Sequence, residues 1–204
     1  MLFGAVITLV ILIFSAILHE IAHGYVAERL GDPTARLMGR LTLNPRSHID
    51  PFMSVLLPLM LIISGSPVIF GAAKPVPVDP FNLRDGRRDM ALVALAGPMT
   101  NILLAILAGV LLKISGATPL SDILLAAARI NLLLAIFNLI PIPPLDGSKV
   151  FSLILPDKEA AAYLSLGSVG MLVIFFLLLF PVAGFSLGNF IFSLLNFAEK
   201  LIGL

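Results

Sequence analysis

The run HEIAH supplies three reactive residues within five positions, His19, Glu20 and His23. Imidazoles at i and i+4 lie one turn apart on the same face of a helix, a spacing that lets both point at one tetrahedral ion. Glu20 stands beside them, where a carboxylate can serve as a general base. The chain has no cysteine, which excludes thiolate metal sites, disulfides and thiol nucleophiles. Any metal must therefore rest on His and carboxylate.

A catalytic zinc keeps three protein ligands and one open position, so a third ligand is required. Two residues can supply it. Asp146 follows a long apolar stretch in NLIPIPPLDG, where an unpaired carboxylate near a membrane is costly and calls for a partner. His48, in RSHIDP, is the only other histidine, and it lies within reach of a loop. Asn138, at the end of the same apolar stretch, can donate two hydrogen bonds to a developing oxyanion or pack as an interhelical amide. Gly97-Pro98 in AGPMTN reads as a helix start with Pro in the first turn, and Asn101 as an interhelical hydrogen bonder.

The elements that must position these residues are apolar. Of 204 residues, 59% are hydrophobic and 12% charged, a balance that makes lipid the solvent for most of the chain. A net charge of +1 argues against nucleic acid as a partner. Residues 1 to 18 carry no charge, but they lack the basic start and cleavage site of a secretory signal and read as a retained transmembrane helix. Crossing a hydrocarbon core takes about 20 residues. Charge-poor stretches of that length run from 2 to 25, 51 to 73, 90 to 112 and 121 to 141, and a longer block covers 160 to 198. Pro181, Gly184 and Gly188 mark a turn that divides that block into two crossings.

The expected fold is an all-α polytopic membrane protein with about five transmembrane helices, a re-entrant segment and a small membrane-associated β element. It is expected to form a single membrane-embedded domain over 1–204, with a metal-binding core over about 1–150 and a C-terminal helical pair over about 160–204. The β element draws on two runs. GRLTLNP at 39 to 45 has strand alternation ended by Asn-Pro. KPVPV at 74 to 78 is kept extended by its prolines, with Pro75 and Pro77 on one edge and Lys74, Val76 and Val78 on the other. The second edge is expected to receive an unwound substrate by strand addition.

HEIAHGYVAERLGD near the start, AGPMTN at 96 to 101 and FNLIPIPPLDG at 137 to 147 together resemble the site-2 protease family of intramembrane metalloproteases. The resemblance covers roughly residues 15 to 150, with the three motifs in the family's order. It implies a zinc-dependent intramembrane endopeptidase with one zinc per chain, held by His19, His23 and Asp146. Glu20 would act as the base and Asn138 would lie close to the metal. It also implies transmembrane segments of other membrane proteins as substrates, in a compact form without room for PDZ or CBS modules.

If Asp146 joins His19 and His23, the ends of the first helix and of the 121 to 141 helix must reach the same membrane face. The number of crossings between them is then even, so residues 51 to 73 are expected to be re-entrant, broken by Pro58, Gly65 and Pro67. On that topology every Lys and Arg except Lys113 and Arg129, among 13 in all, falls on one side. The positive-inside rule makes that side cytoplasmic, with the N-terminus outside and the active site facing the cytoplasm.

Overall fold

The computed structural model describes residues 2–56, 59–60, 63–64, 73–116 and 118–204. Eight α-helices organise them: α1 Leu2–Arg29, α2 Thr34–Leu37, α3 Gly86–Ser115, α4 Pro119–Asn138, α5 Asp146–Phe151, α6 Asp157–Leu164, α7 Gly167–Leu179 and α8 Leu187–Ile202. Three helical segments, Val6–Arg29, Gly86–Ser115 and Leu120–Asn138, are long and apolar enough to cross a membrane. Their apolar faces stay largely exposed, as expected where lipid is the solvent.

The three long helices form the bundle that carries the site, with α3 at its centre. A stripe of small residues makes this close packing possible: Ala91, Ala94, Gly97, Ala105, Ala108 and Gly109 are all buried along α3. Small side chains let helix backbones approach where no water-driven force would press larger ones together. Contacts run from His19 to Asn101, from His23 to Val93 and from Leu30 to Arg84, so α1 and α3 are antiparallel. Ser15 of α1 meets Asn131 of α4, which runs parallel to α1. The C-terminal ends of α1 and α4 therefore share one end of the bundle.

Two expectations about this architecture change. Gly97 and Pro98 lie well inside α3 rather than at a helix start. A buried proline within a membrane helix is tolerated because neighbouring helices cover the freed backbone. The C-terminal block divides at the expected place, with Pro181 between α7 and α8, but its helices have 13 and 16 residues. At 1.5 Å per residue these rise about 20 and 24 Å, short of the roughly 30 Å hydrocarbon core. Among the described residues there are three spans by length, or four if the bent pair α6 and α7 counts as one, rather than five.

The β element is also absent among the described residues, where no strand ladder forms. Residues 39–45 form turns leading into the short helix Pro45–His48. The Thr42 carbonyl accepts from the His48 ring instead of from a neighbouring strand. In the 74–78 run, Lys74 N–H donates to the His48 carbonyl and Val76 N–H to Glu20, so two of the three amides on the expected open edge are already engaged. The re-entrant expectation for 51 to 73 falls largely outside the described residues, apart from a wide helical turn at Pro51–Leu56.

Candidate active site

His19 and His23 lie on successive turns of α1, buried at the interface with α3. Asp146 reaches them from the first position of α5. Between α4 and α5 the chain folds back through tight turns at Ile142 and Leu145. Gly147 makes that reversal possible, because a Cβ there would stand 2.2 Å from the Leu139 carbonyl oxygen. Asp146 Oδ2 comes to rest 3.2 Å from both His19 Nε2 and His23 Nε2.

These distances fit a metal. Zinc bonded at 2.0–2.1 Å to tetrahedral ligands separates the ligand atoms by about 3.3 Å. The three donors all lie within 4.8 Å of one another. A further observation comes from α3: a Cβ on Gly97 would fall 2.5 Å from both Nε2 atoms. The glycine leaves open the space in front of the two imidazoles.

The hydrogen bonds behind the rings aim the lone pairs at that space. His23 Nδ1 lies 2.7 Å from the Val93 carbonyl, which can only accept, so Nδ1 carries the proton and Nε2 the lone pair. His19 Nδ1 lies 2.6 Å from Asn101 Oδ1. The Asn101 amide nitrogen donates to Asn131 Oδ1 at 2.8 Å, which fixes the orientation of Asn101 with its oxygen toward His19. Asn131 in turn donates to Ser15 Oγ at 2.9 Å. Such outer partners hold a ligand's tautomer and ring orientation.

Asp146 is prepared in the same way. Lys149 Nζ donates to Oδ1 at 3.0 Å, leaving Oδ2 turned toward the histidines. Burial pushes the carboxyl up, but hydrogen bonds with His19 and His23 and the charges of His23 and Lys149 outweigh it, holding the group well below the usual carboxylate range. Glu20, one residue past His19, is partly exposed and accepts from Val76 N–H at 2.7 Å through Oε2.

Of the two sequence candidates for the third ligand, the structure brings Asp146 to the histidines. His48 is buried elsewhere, its Nε2 donating to the Thr42 carbonyl at 2.8 Å. Asn138 is half-buried at the end of α4 and donates to the Leu134 carbonyl of its own helix at 2.9 Å. Sequence reasoning missed the part played by Asn101 and Lys149 in orienting ligands. Lys149 left a legible sign, since Asp and Lys at i and i+3 on a helix are neighbours.

Comparison with known proteins adds an independent line. The profile of Peptidase family M50 matches residues 7–123 and 115–181. "Putative zinc metalloprotease YwhC" of Bacillus subtilis is 36% identical over 186 residues, covering 86% of this chain and 81% of that protein. Rip2 of Mycobacterium tuberculosis, given the same designation, is 37% identical over 137 residues, 65% of this chain and 51% of its own length. MJ0611 of Methanocaldococcus jannaschii, also so designated, is 48% identical over 59 residues, 28% of this chain and 31% of that protein. No solved structure matches.

Proposed function

The chain belongs to peptidase family M50, a zinc metalloprotease in a membrane setting, and from that premise we propose that it cleaves transmembrane segments of other membrane proteins near the cytoplasmic face. The observation that carries the reading is the convergence of His19, His23 and Asp146 beside Glu20 within the apolar bundle. Bound by those three residues, zinc supplies a Lewis acid that acidifies water and draws charge from the scissile carbonyl.

The protein's own groups do the rest. Glu20 has one oxygen engaged by Val76 N–H, leaving Oε1 to take a proton from the attacking water and pass it to the leaving amine. Asn138 has one amide hydrogen committed to Leu134 and a second to offer a developing oxyanion. A substrate helix must unwind before its backbone can enter, since hydrolysis requires an extended peptide.

The cytoplasmic orientation is part of the proposal. Its support is the packing of the two Arg-bearing loops together with the charge distribution, corrected at Lys200: the end of α8 lies with Lys113 and Arg129 at the other end of the bundle, Lys113 donating to the Ile202 carbonyl and Arg129 pairing with Glu199. Arg84 N–H donates to the Leu30 carbonyl at 3.4 Å, and Asp32 accepts from Asp79 N–H at 2.7 Å and from the Asn82 amide at 3.0 Å. The positive-inside rule then assigns this end of the bundle to the cytoplasm. The central test is Glu20→Gln, which should retain zinc and lose cleavage of a transmembrane peptide by about 10²- to 10⁴-fold. Full activity in that variant would overturn the mechanism.

A further inference from the structure

Arg40 lies just beyond α2 and is buried, yet among the described residues it makes no ion pair and its Nε has no partner. Burying a guanidinium without a carboxylate is costly, and an apolar side chain of similar volume would pack at lower cost. What the guanidinium does make is a fork onto backbone. Nη2 donates to the Lys74 carbonyl at 2.9 Å and to the Pro75 carbonyl at 3.2 Å. The next residue is Val76, whose amide donates to Glu20.

The rest of this segment is fixed with equal care. Lys74 N–H donates to the His48 carbonyl at 2.8 Å. Val76 is buried in a notch on α1 at Gly24, where an added Cβ would meet Val76 Cγ1 at 2.9 Å and Leu41 Cδ2 at 2.7 Å. Gly24 lies one turn beyond Glu20. Side-chain packing thus sets the height of the segment along α1, and the Arg40 fork sets the rotation of the two peptide units before Val76. That rotation decides where the Val76 N–H points.

We propose that Arg40 is a positioning residue for Glu20, acting through the 74–76 backbone so that the Val76 amide holds one carboxylate oxygen and leaves the other free to face the attacking water. The proposal rests on Glu20 as the general base. It assigns a task to the buried charge and to the prolines around Val76. Pro75 and Pro77 have no N–H, so within 74–78 only Lys74, Val76 and Val78 can donate.

The same proline spacing makes the contact measurable. A peptide of residues 74–78 carries two exchangeable amides, Val76 and Val78, so hydrogen–deuterium exchange on the full chain in detergent reads Val76 with little interference. Arg40→Gln and Arg40→Lys should raise exchange at Val76 about tenfold or more and lower kcat on a transmembrane peptide about 10- to 100-fold, with KM and bound zinc unchanged. Glu20→Ala should raise Val76 exchange in an otherwise natural chain, because the acceptor is gone. Unchanged kcat or unchanged Val76 exchange in Arg40→Gln would overturn the proposal, as would zinc lost in step with activity. Should the Arg40 variants fail to fold, replacing the amide at Val76 with an ester, by incorporating the α-hydroxy analogue of valine, removes the donor while keeping the side chain at Gly24, and should give the same kcat loss with zinc retained; unaltered kcat would count against the idea. Full cleavage by Glu20→Gln would refute the base assignment whatever Arg40 does. An inactive Glu20→Gln beside a fully active Arg40→Gln would refute the positioning role alone.

Discussion

Gly97→Ala tests the metal site from a helix that contributes no ligand. The added methyl would stand 2.5 Å from His19 Nε2, 2.5 Å from His23 Nε2 and 2.6 Å from His19 Cδ2. Real Cβ atoms essentially never approach closer than 3.0 Å, so both rings must retreat by about 0.5 Å or α3 must shift by as much. Zinc sites tolerate ligand displacements of about 0.2 Å. The rings cannot retreat freely either, because the Val93 carbonyl and Asn101 hold them from behind. Loss of an outer partner alone costs 10- to 100-fold in metal affinity, and displacement of two ligands at once should reach at least the upper end, about 2.8 kcal/mol. The assay is zinc affinity by competition with a chromophoric chelator, beside cleavage. Gly109→Ala on the same helix is the control, since its nearest neighbour would lie at 3.6 Å, an ordinary contact. Zinc affinity within about threefold of the natural chain in Gly97→Ala would refute the reasoning.

Asp146→Ala should lose most of the bound zinc and all cleavage, while His48→Ala keeps both; zinc analysis of the two proteins decides it, and the opposite pattern would transfer the third ligand to His48. Asp32 is buried and held below the usual carboxylate range: burial pushes it up, but the Thr34 and Asn82 side chains and the Asp79 and Thr34 amides outweigh that. Its stabilisation is therefore complete above the unfolded value near pH 4 and lost as pH falls through the lower folded value. The thermal midpoint should fall on acidification below about pH 4, and Asp32→Asn should be less stable at pH 7 with a shallower acid decline; superimposable acid profiles would exclude the linkage. Arg36→Cys and Arg84→Cys, in a chain with no other cysteine, should both label from the cytoplasmic side, and labelling from opposite faces would overturn the orientation.

The convergence of His19, His23 and Asp146 was legible because its signals are local or obligatory. HEIAH places two candidate ligands one turn apart on a helix, and a carboxylate stranded after a long apolar helix must find a partner. The errors arose where sequence reports composition but not pairing. In LTL at 41 to 43 the alternation of the sequence is not realised: a strand would put Leu41 and Leu43 on one face, but Leu41 packs toward Gly24 while Leu43 is exposed. An alternating sequence does not supply a partner for its backbone: Leu41 rests on α1 and the Thr42 carbonyl accepts from the His48 ring, with no strand beside them among the described residues. The C-terminal block likewise reads as two spans because hydropathy counts apolar residues and not helix length, whereas the 13 residues of α7 are too few for a full crossing.

Asn101 marks a subtler limit. An asparagine on a stripe of Ala and Gly is the usual sign of helix-to-helix bonding, and Asn101 does bond to Asn131 and, at 3.4 Å, to the Ser15 carbonyl. Those same bonds turn its oxygen onto His19, so packing and ligand orientation are one function performed by one amide. The sequence shows only the cost, a polar group with no water to satisfy it. Which polar partner answers that cost depends on the rotation of α1 against α3, and the small residues at Ala94, Gly97 and Ala105 set that rotation. The glycine that permits close approach is thus the same residue that leaves room before the ligands, and the bundle cannot tighten around His19 without also shaping the site.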